Sequence, residues 1–508
     1  MTPELHEDRR LEALRQHATL AEYRFTSTAP VVGGLVARLR EAWNSVATKW
    51  QVRPLMEQQS EFNRMLAERL ARPPGMVEFD GRLVELDRDQ VLAARASGQL
   101  ATRAGRLRGD LQMSGIAHGR NPRIAFFSPM PPARSGIADY SAGLLPHLAR
   151  LADITVFVDD ETGVKSSGLP VMRASDFPGV RHAFDLPVYQ MGNSDHHEIM
   201  YDLLLRYPGV VVLHDYSIHH FIYHHTAVHG DWMAYARELN YSFAGNGRAM
   251  ARAIHSAQIP VPLFDYPMNR RLIDVSLGLI VHSRYAAERV RQIRPDTPLA
   301  VIPHYVELQP GRSHRHQLGI ADDATLFATY GYITPEKQLE VALSAFRRLL
   351  AARPNSHYLV VGDVHPAVDL AGMVRRLGLE ERVDHVGYAE DLGTFEDWIR
   401  TADVVVNLRQ PTVGETSGVA LRAMAAARPL IVYDHGWYAE IPAEAALRVA
   451  PGDESSLLEA LETLGASASL RRSMGQSALN YVRENCAPAQ VAAAYMGFVS
   501  DVLAWSQK

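Results

Sequence analysis

Two series of short apolar runs, each alternating with helical patterns, constrain the fold of this chain more than any other feature. The first series lies between residues 123 and 302, and the second between 325 and 450. Continuous β-branched runs separated by helices are typical of parallel strands buried on both faces. Two such series predict an α/β chain with two facing, doubly wound, Rossmann-like domains. The runs are RIAFF (123–127), ITVFV (154–158), PVYQM (187–191), VVVL (210–213), GLIVH (278–282) and LAVI (299–302), then TLFATY (325–330), HYLVVG (357–362), RVDHVG (382–387), DVVVNL (403–408), PLIVY (429–433) and LRVA (447–450).

The remaining segments divide the chain around these two domains. Prolines, a glycine and charges at 301–317 break both periodicities and predict a hinge. Residues 1–118 contain no strand series and predict an N-terminal all-helical extension. We therefore expect the first domain at 119–305, the second at 306–484, and a C-terminal helix at 485–508 that packs back on the first domain.

The helical extension carries an amphipathic stripe with basic flanks. Such a stripe packs on the two α/β domains or on a second copy of the chain, or it lies on an anionic membrane surface. The sequence therefore leaves a homodimer and a peripheral membrane contact open. The stripe consists of Val32, Leu35, Leu39, Trp43, Val46 and Trp50.

Composition excludes several classes of protein. The 508 residues carry a net charge of −5, so no global positive field attracts nucleic acid. A single cysteine, Cys486, excludes internal disulfides and cysteine-based zinc sites. The charged N-terminus is unlike a signal peptide, and the sequence has no run of about 18 apolar residues. We expect a cytoplasmic protein, with the inner face of the membrane as an alternative if the stripe binds lipid.

The turn GETSG (414–418) follows one predicted strand and opens an alanine-rich helix. The backbone N–H groups of Thr416, Ser417 and Gly418 can point at an anion there, and the helix adds about half a positive charge. Glu415 would then be free to accept hydrogen bonds from sugar hydroxyls. A turn of this kind suits a sugar diphosphate, although serine and threonine at a helix start are also ordinary N-caps.

Two further strand–loop–helix junctions could meet an anion. The loop at 128–147 contains Gly136, and Arg134 beside it is a cation at the carboxyl end of a strand. The junction at 329–346 places Lys337 near the start of the next helix, where it would be a point charge for a phosphate. Each junction is a weak signal alone.

The order of these motifs resembles the retaining glycosyltransferases of family 4, which have the GT-B architecture. The resemblance covers residues 120–495 and rests on TYGYITPEKQLEVALSAF (329–346), LVVGD (359–363), HVGYAED (385–391) and ADVVVNLRQPTVGETSGVALRAMAAARPLIVYDHGWYAEIP (402–442), with HSRYAAERV (282–290) and VIPHYVE (301–307) in the first half. It implies transfer of a sugar from a nucleotide-diphosphate sugar to a hydroxyl of a glycan, a lipid-linked glycan or a small molecule. Cell-surface polysaccharide or glycolipid assembly is the expected setting.

The resemblance implies roles for several residues of the second half. Lys337 matches the family's diphosphate lysine, while Tyr332 stands where the family has an arginine. We expect Arg409 or Arg134 to supply that missing charge. Glu415 matches a glutamate beside the donor sugar, in a GETSG-type variant of the donor motif. Arg422 falls near the position of the glutamate that holds the ribose, so ribose recognition must differ. Gly387 and Tyr388 line the expected base pocket.

In the first half, the resemblance implies that His214 contacts the donor sugar near the reacting carbon. Asp215 would orient His214, and both Asn193 and Asp215 would face the acceptor. With Lys337 and Glu415, His214 completes the expected catalytic set.

The implied chemistry needs neither a metal nor a cofactor. Histidines cluster between 196 and 229, but adjacent pairs fall on different helix faces and we expect no acidic cluster beside them. The D-x-D motif at 87–89 lies in the helical extension.

Three other functions stay open at this stage. A sugar-nucleotide epimerase or a phosphorylase would keep the architecture. An inactive GT-B scaffold or partner-binding subunit would explain Tyr332 and Arg422. A nicotinamide oxidoreductase has only GNGRAM (245–250) in its favour, which lacks the third glycine and follows no clear strand.

Overall fold

A computed structural model describes residues 120–243, 247–307 and 309–505. Of these, residues 231–261 belong to one compact unit, whereas 120–230 and 262–505 belong to a second, larger unit. The expected helical extension at 1–118, its amphipathic stripe and the D-x-D motif lie outside the described residues.

The first parallel sheet of the larger unit has seven strands in the order β3-β2-β1-β4-β5-β6-β7. The strands are β1 Arg123–Phe127, β2 Asp153–Val158, β3 Val171–Arg173, β4 Leu186–Met191, β5 Val210–Leu213, β6 Gly278–Val281 and β7 Leu299–Val301. The helices of this part of the chain are α1 Gly136–Leu148, α2 Phe177–Val180, α3 Glu198–Arg206, α4 His219–Tyr223, a π-helical turn at His224–Val228, and, after the smaller unit, α7 Arg270–Val275 and α8 Arg284–Ile293.

The second parallel sheet has six strands in the order β10-β9-β8-β11-β12-β13. They are β8 Thr325–Tyr330, β9 Ser356–Val361, β10 Val383–Val386, β11 Val404–Val406, β12 Leu430–Tyr433 and β13 Ala446–Val449. Its helices are α9 Leu339–Ala352, α10 Leu370–Leu377, α11 Leu392–Thr401, α12 Gly418–Ala425, α13 Glu454–Ala466 and α14 Ala468–Asn485, and the chain continues into α15 Pro488–Trp505.

The two sheets confirm the expected pair of Rossmann-like domains. Both contain the strand order 3-2-1-4-5-6 that defines a doubly wound nucleotide-binding sheet. Each predicted strand is present within two residues at either end, and most of the apolar runs are buried on both faces; all six residues of β8 are buried, for example. Sequence patterning missed β3, which has three residues and is not fully buried.

Several helices begin where a side chain caps them, which fixes how each loop enters its helix. A serine or aspartate oxygen accepts a bond from a first-turn N–H and so satisfies a donor that the helix cannot. The capping residues are Ser135 for α1, Ser283 for α8, Asp391 for α11, Ser417 for α12 and Asp453 for α13.

The last helix, α15, packs on the first sheet and not on the second. Val491, Val499 and Val502 belong to the same buried cluster as Ile124 of β1. The hydroxyl of Tyr495 lies 2.8 Å from that of Tyr140 in α1, and both side chains are buried. The C-terminal helix therefore ties the end of the chain to the first domain.

The smaller unit contains the helices α5 Trp232–Phe243 and α6 Gly247–His255. They pack closely, since a methyl group on Gly247 would overlap the backbone of α5, and Arg248 N donates to Asn240 Oδ1 at 2.9 Å. Gly247 thus follows a helix and not a strand, so GNGRAM lacks the strand–turn–helix context of a dinucleotide-binding loop. The hypothesis that GNGRAM binds a dinucleotide is wrong for this reason.

Two glycines inside helices provide a test of the packing. Alanine normally stabilises a helix interior by about 1 kcal/mol relative to glycine. A methyl group on Gly475 in α14 would overlap the carbonyl oxygen of Ala427, whereas Gly497 in α15 has no neighbouring atom within 4 Å of that position. We expect Gly497→Ala to raise the thermal unfolding midpoint and Gly475→Ala to lower it, since overpacking costs about 1–3 kcal/mol. Stabilisation by both substitutions would contradict the packing of α14.

Candidate active site

The loops that follow β8 and β11 carry the candidate site. These neighbouring strands lie at the point where the strand order of the second sheet reverses, and ligands of doubly wound sheets bind at that crevice. The loop after β8 carries Lys337, and the loop after β11 carries Arg409 and GETSG (414–418). The fold thus brings the predicted donor residues Lys337, Arg409 and Glu415 to one edge.

Lys337 reaches back toward the strand from which its loop departs. Its Nζ donates to the carbonyl oxygen of Tyr330, the last residue of β8, at 2.6 Å. Burial lowers the pKa of Lys337 to about 7; the nearby charge of Arg409 lowers it further, and Glu415 opposes the shift. The charged form of Lys337 is therefore destabilised, and a bound anion would stabilise it.

Arg409 and Glu415 form an ion pair within the second loop. Arg409 Nε lies 2.9 Å from Glu415 Oε1, while Glu415 Oε2 accepts from Thr412 Oγ1 at 2.7 Å and from Val413 N at 2.9 Å. One oxygen of Glu415 is thus used within the turn, while the other makes only the ion pair with Arg409. Contact of this carboxylate with sugar hydroxyls stays a prediction.

The helix α12 presents unpaired donors at its N-terminus. Ser417 Oγ caps the helix by accepting from Ala420 N at 3.1 Å, and Asn407 Nδ2 donates to the same oxygen at 3.0 Å. The hydroxyl is thus used as an N-cap. Within the part of the chain that the structure describes, no acceptor is bonded to the backbone N–H groups of Thr416, Gly418 or Val419. These amides and the helix dipole form an anion site of the expected kind.

The loop after β5 meets the GETSG loop across the cleft. Ser217 N donates to Val413 O at 2.8 Å. Gly414 has a φ of +78°, and a methyl group there would lie 2.6 Å from Cβ of Tyr216. The position requires glycine on both grounds, and the contact places Asp215 of the first domain near Glu415.

Asp215 and Asn193 are held by the first domain. Asn193 N donates to Asp215 Oδ2 at 2.8 Å, and the Asn193 side chain bridges to Phe221 N and His220 Nδ1, each at 3.0 Å. Burial raises the pKa of Asp215 to about 6, and Glu415 raises it further. Asn193 therefore holds the loop in place through its hydrogen bonds, while Asp215 is a carboxyl that changes charge near neutral pH. Their contact with an acceptor stays a prediction.

His214 lies in a buried chain of rings. His282 Nδ1 lies 2.8 Å from the carbonyl oxygen of Ile302 and must donate to it, so His282 Nε2 accepts from His214 Nδ1 at 3.2 Å. Burial lowers the pKa of both histidines, which keeps them neutral. The remaining nitrogen of His214, Nε2, lies 2.8 Å from Oε1 of Gln190. An amide oxygen only accepts, so with His214 Nδ1 donating to His282 the Gln190 amide must be turned to present its NH2 group, whose nitrogen has no other partner among the described residues. A ring-nitrogen contact with the donor sugar would require one of these bonds to open, so that role stays a prediction.

Arg422 points at a buried acid. Its Nε lies 3.7 Å from Oε1 of Glu396, which is 1% exposed. The positive charge also lowers the pKa of Asp139 in α1, although burial raises that pKa more. Arg422 therefore balances carboxylates where α12 approaches the first domain, and its contact with a nucleotide stays a prediction.

Five other predicted donor residues lie at the mouth of the cleft. The Arg134 guanidinium carbon is 4.8 Å from the ring centroid of Tyr388, so this cation contacts the expected base pocket and not the Lys337 cluster. Gly136 opens helix α1 and is exposed, as is Gly387 beside Tyr388. Tyr332 is 52% exposed. Of the two arginines considered for the missing charge, only Arg409 lies beside Lys337.

Sequence reasoning missed His220 and Glu336 as neighbours of Arg409. The charge of Glu336 raises the pKa of His220 and that of Arg409 lowers it, while burial lowers it most. The available signal was the position of His220 five residues after the strand-end Asp215. His220 therefore extends the polar lining of the cleft from the first domain.

Comparison with known proteins supports a transferase. Residues 324–467 match the family described as Glycosyl transferases group 1. Three relatives are each 31% identical over part of this chain. They are an exopolysaccharide phosphotransferase of Streptomyces coelicolor (29% of this chain, 15% of that protein), an uncharacterized glycosyltransferase of Methanocaldococcus jannaschii (25% and 32%) and the lipopolysaccharide 1,2-N-acetylglucosaminetransferase of Salmonella typhimurium (18% and 26%). The matched segments span about a third or less of each relative's length.

Solved structures share the two-domain fold. HepE of Anabaena, solved in complex with UDP, has a TM-score of 0.54 and 15% identity, covering 75% of this chain and 100% of that one. Sucrose-phosphate synthase of Thermosynechococcus elongatus has a TM-score of 0.55 and 18% identity, covering 75% and 99%. The fold is therefore GT-B. Among the described residues, no helix combines the length and apolarity needed to span a bilayer.

The depressed pKa of Lys337 gives a stability test. Below pH 7 the folded protein holds a partly buried charge, and from pH 7 to about 10.5 the unfolded chain binds more protons, so the destabilisation by this group shrinks as pH rises. We expect Lys337→Met to raise the unfolding midpoint, and to raise it more at pH 6 than at pH 9. The exposed Lys165→Met is the control and should change little at either pH. A gain in the unfolding midpoint that does not depend on pH would contradict the lowered pKa of Lys337.

Proposed function

We propose that this protein is a retaining glycosyltransferase that moves a sugar from a nucleotide-diphosphate sugar to a hydroxyl acceptor. The observation that carries the proposal is the pair of cations, Lys337 and Arg409, at the reversal point of the second sheet. A diphosphate there would accept bonds from Lys337 Nζ, Arg409 and the amides of Gly418 and Val419. The family match over 324–467 covers this half of the cleft.

The reaction would be carried by stabilising the leaving group. The bond between the sugar's anomeric carbon and the diphosphate oxygen breaks, and a bond to the acceptor oxygen forms on the same face. The acceptor's proton passes to the departing diphosphate. Negative charge grows on that group as it leaves, so preorganised cations and amides lower the barrier more than they strengthen substrate binding. No protein group needs to form a covalent bond.

Asp215 is the first-domain group best placed to act on the sugar. Above its pKa of about 6 the carboxylate is negative, and it lies near Glu415 on the other side of the cleft. A negative group stabilises the positive charge that develops on the sugar ring as the diphosphate departs. Asp215 would therefore act by itself, and the expectation that it orients His214 is wrong, because both ring nitrogens of His214 lie against Gln190 and His282.

A pocket in the first domain suits the acceptor. A cavity of about 260 Å³ lies at the carboxyl ends of β1 and β2. Its polar lining includes Asp159, Thr162 and His196, and its apolar lining includes Met130 and Met200. This mixture fits a hydroxyl-bearing glycan or small molecule. The names of the Salmonella and Streptomyces relatives support cell-surface polysaccharide or glycolipid assembly as the setting.

The donor is tested by nucleotide binding and by product configuration. Purified protein is titrated with UDP, GDP, ADP and dTDP by calorimetry and thermal shift, starting with UDP, which the HepE structure contains. We expect one of them to bind saturably, and the matching sugar nucleotide to give a product whose anomeric configuration equals that of the donor. Inversion would overturn retention alone. Failure of all four to bind would favour the inactive-scaffold alternative, and turnover without an acceptor would favour an epimerase.

Lys337 is expected to act on the chemical step. Removing one preorganised donor from a developing anion costs about 3 kcal/mol, which is about two orders of magnitude in rate. We therefore expect Lys337→Ala to reduce kcat/KM for transfer by about 100-fold or more while leaving the fold intact. Transfer and far-UV circular dichroism of this variant are compared with those of Lys165→Ala, which should retain wild-type activity. Turnover of Lys337→Ala near the wild-type level would remove Lys337 from the mechanism.

A further inference from the structure

Three side chains of the first domain that have no part in the proposed transfer converge on one point. Glu198, His224 and His229 each direct a ligand atom to a region in which these atoms lie within 4.8 Å of one another. Glu198 is the first residue of α3, and the two histidines flank the π-helical turn at 224–228. We expected no acidic cluster beside the histidines, and the structure places the carboxylate of Glu198 among them.

The π-helical turn explains why periodicity did not reveal the pair. In an α-helix, residues five apart point about 140° away from each other. A π-helical turn closes its hydrogen bond after five residues instead of four, so residues 224 and 229 stack on one side. The two imidazole centroids are 5.0 Å apart as a result. Such turns are frequent at functional sites.

The distances match those between ligands of a tetrahedral metal ion. His224 Nδ1 and His229 Nε2 each lie 3.3 Å from the same oxygen, Oε1 of Glu198. With metal–ligand bonds of about 2.0–2.1 Å, the edge of a tetrahedron is about 3.4 Å. Both distances from Glu198 Oε1 to the histidine nitrogens therefore already match an edge of the tetrahedron. Only the distance between the His224 and His229 nitrogens would have to adjust when an ion binds.

A second layer of side chains supports the carboxylate. His225 Nδ1 lies 3.9 Å from the other oxygen of Glu198, and His225 Nε2 lies 3.5 Å from Asp202 Oδ1. Outer groups of this kind orient a ligating carboxylate and raise metal affinity. The side chains of His224, His229 and Glu198 are 40%, 56% and 33% exposed, so an ion can reach them from solvent.

We propose that Glu198, His224 and His229 bind one divalent transition-metal ion of the Zn²⁺ type, with water in the fourth position. Two imidazoles and one carboxylate suit Zn²⁺, Co²⁺ or Ni²⁺, whereas Mg²⁺ and Ca²⁺ prefer all-oxygen sites. The ion would tie the π-helical turn to α3. Because α4, which carries His220 into the cleft, runs directly into this turn, the ion would also brace one wall of the cleft. The site takes no part in the transfer step.

The test uses the full-length protein stripped of metal with EDTA and titrated with Co²⁺ alone, followed by visible absorption. Calorimetry with Zn²⁺ gives the stoichiometry. We expect Glu198→Gln and His229→Ala each to remove one equivalent of bound ion or to weaken its binding by about tenfold or more. His225→Ala should weaken it by about tenfold through the second layer. His182→Ala, an exposed histidine of the same domain, is the matched control and should leave binding unchanged.

Two outcomes would overturn the site. One is the absence of saturable Co²⁺ and Zn²⁺ binding by the wild-type protein, which would reduce the cluster to hydrogen bonds between imidazoles and a carboxylate. The other is binding whose stoichiometry and affinity are the same in wild type, Glu198→Gln and His229→Ala, which would place the ion elsewhere. Unfolding midpoints measured in EDTA show whether the variants fold, so a lost site is distinguished from a lost fold.

Discussion

Two cations, Lys337 and Arg409, are held close together where much of the surrounding water is excluded, and the repulsion between them defines what the site can bind. Burial and Arg409 both lower the pKa of Lys337, while Glu415 offsets part of the cost and pairs with Arg409 at 2.9 Å. Removing the Lys337 charge would relieve the folded protein, so this lysine is better explained by a ligand than by stability. An anion carrying two or more negative charges is the ligand that completes this arrangement.

The fold itself places these charges, and no single contact between distant segments is responsible for their positions. The doubly wound strand order sends the loops after β8 and β11 to the same edge, and the helix behind the second loop adds unpaired amides. The bond from Ser217 N to Val413 O joins that loop to the first domain, at a glycine that no other residue could replace without strain. Arg134 over Tyr388 makes a second contact across the cleft. The two domains therefore meet at defined points.

Sequence alone predicted the strands and several site residues, because those depend on local patterns. Continuous β-branched runs specify buried parallel strands, such as β8, of which all six residues are buried. Lys337 follows from its place in a recognisable motif. What sequence could not give depends on contacts between distant segments: the carboxylate of Glu415 is used within its turn, His214 is enclosed by Gln190 and His282, and a π-helical turn breaks the α-periodicity on which the histidine argument relied.

A crystal structure of the protein with the tightest-binding nucleoside diphosphate tests the central claim most directly. The account predicts phosphate oxygens within hydrogen-bond distance of Lys337 Nζ, of the Arg409 guanidinium and of the backbone N–H groups at the start of α12, with the Lys337–Tyr330 bond exchanged for a bond to phosphate. A diphosphate bound elsewhere in the cleft, with Lys337 still donating to Tyr330 O, would contradict it. In that case the two cations would be a structural feature of the second domain and not its donor site.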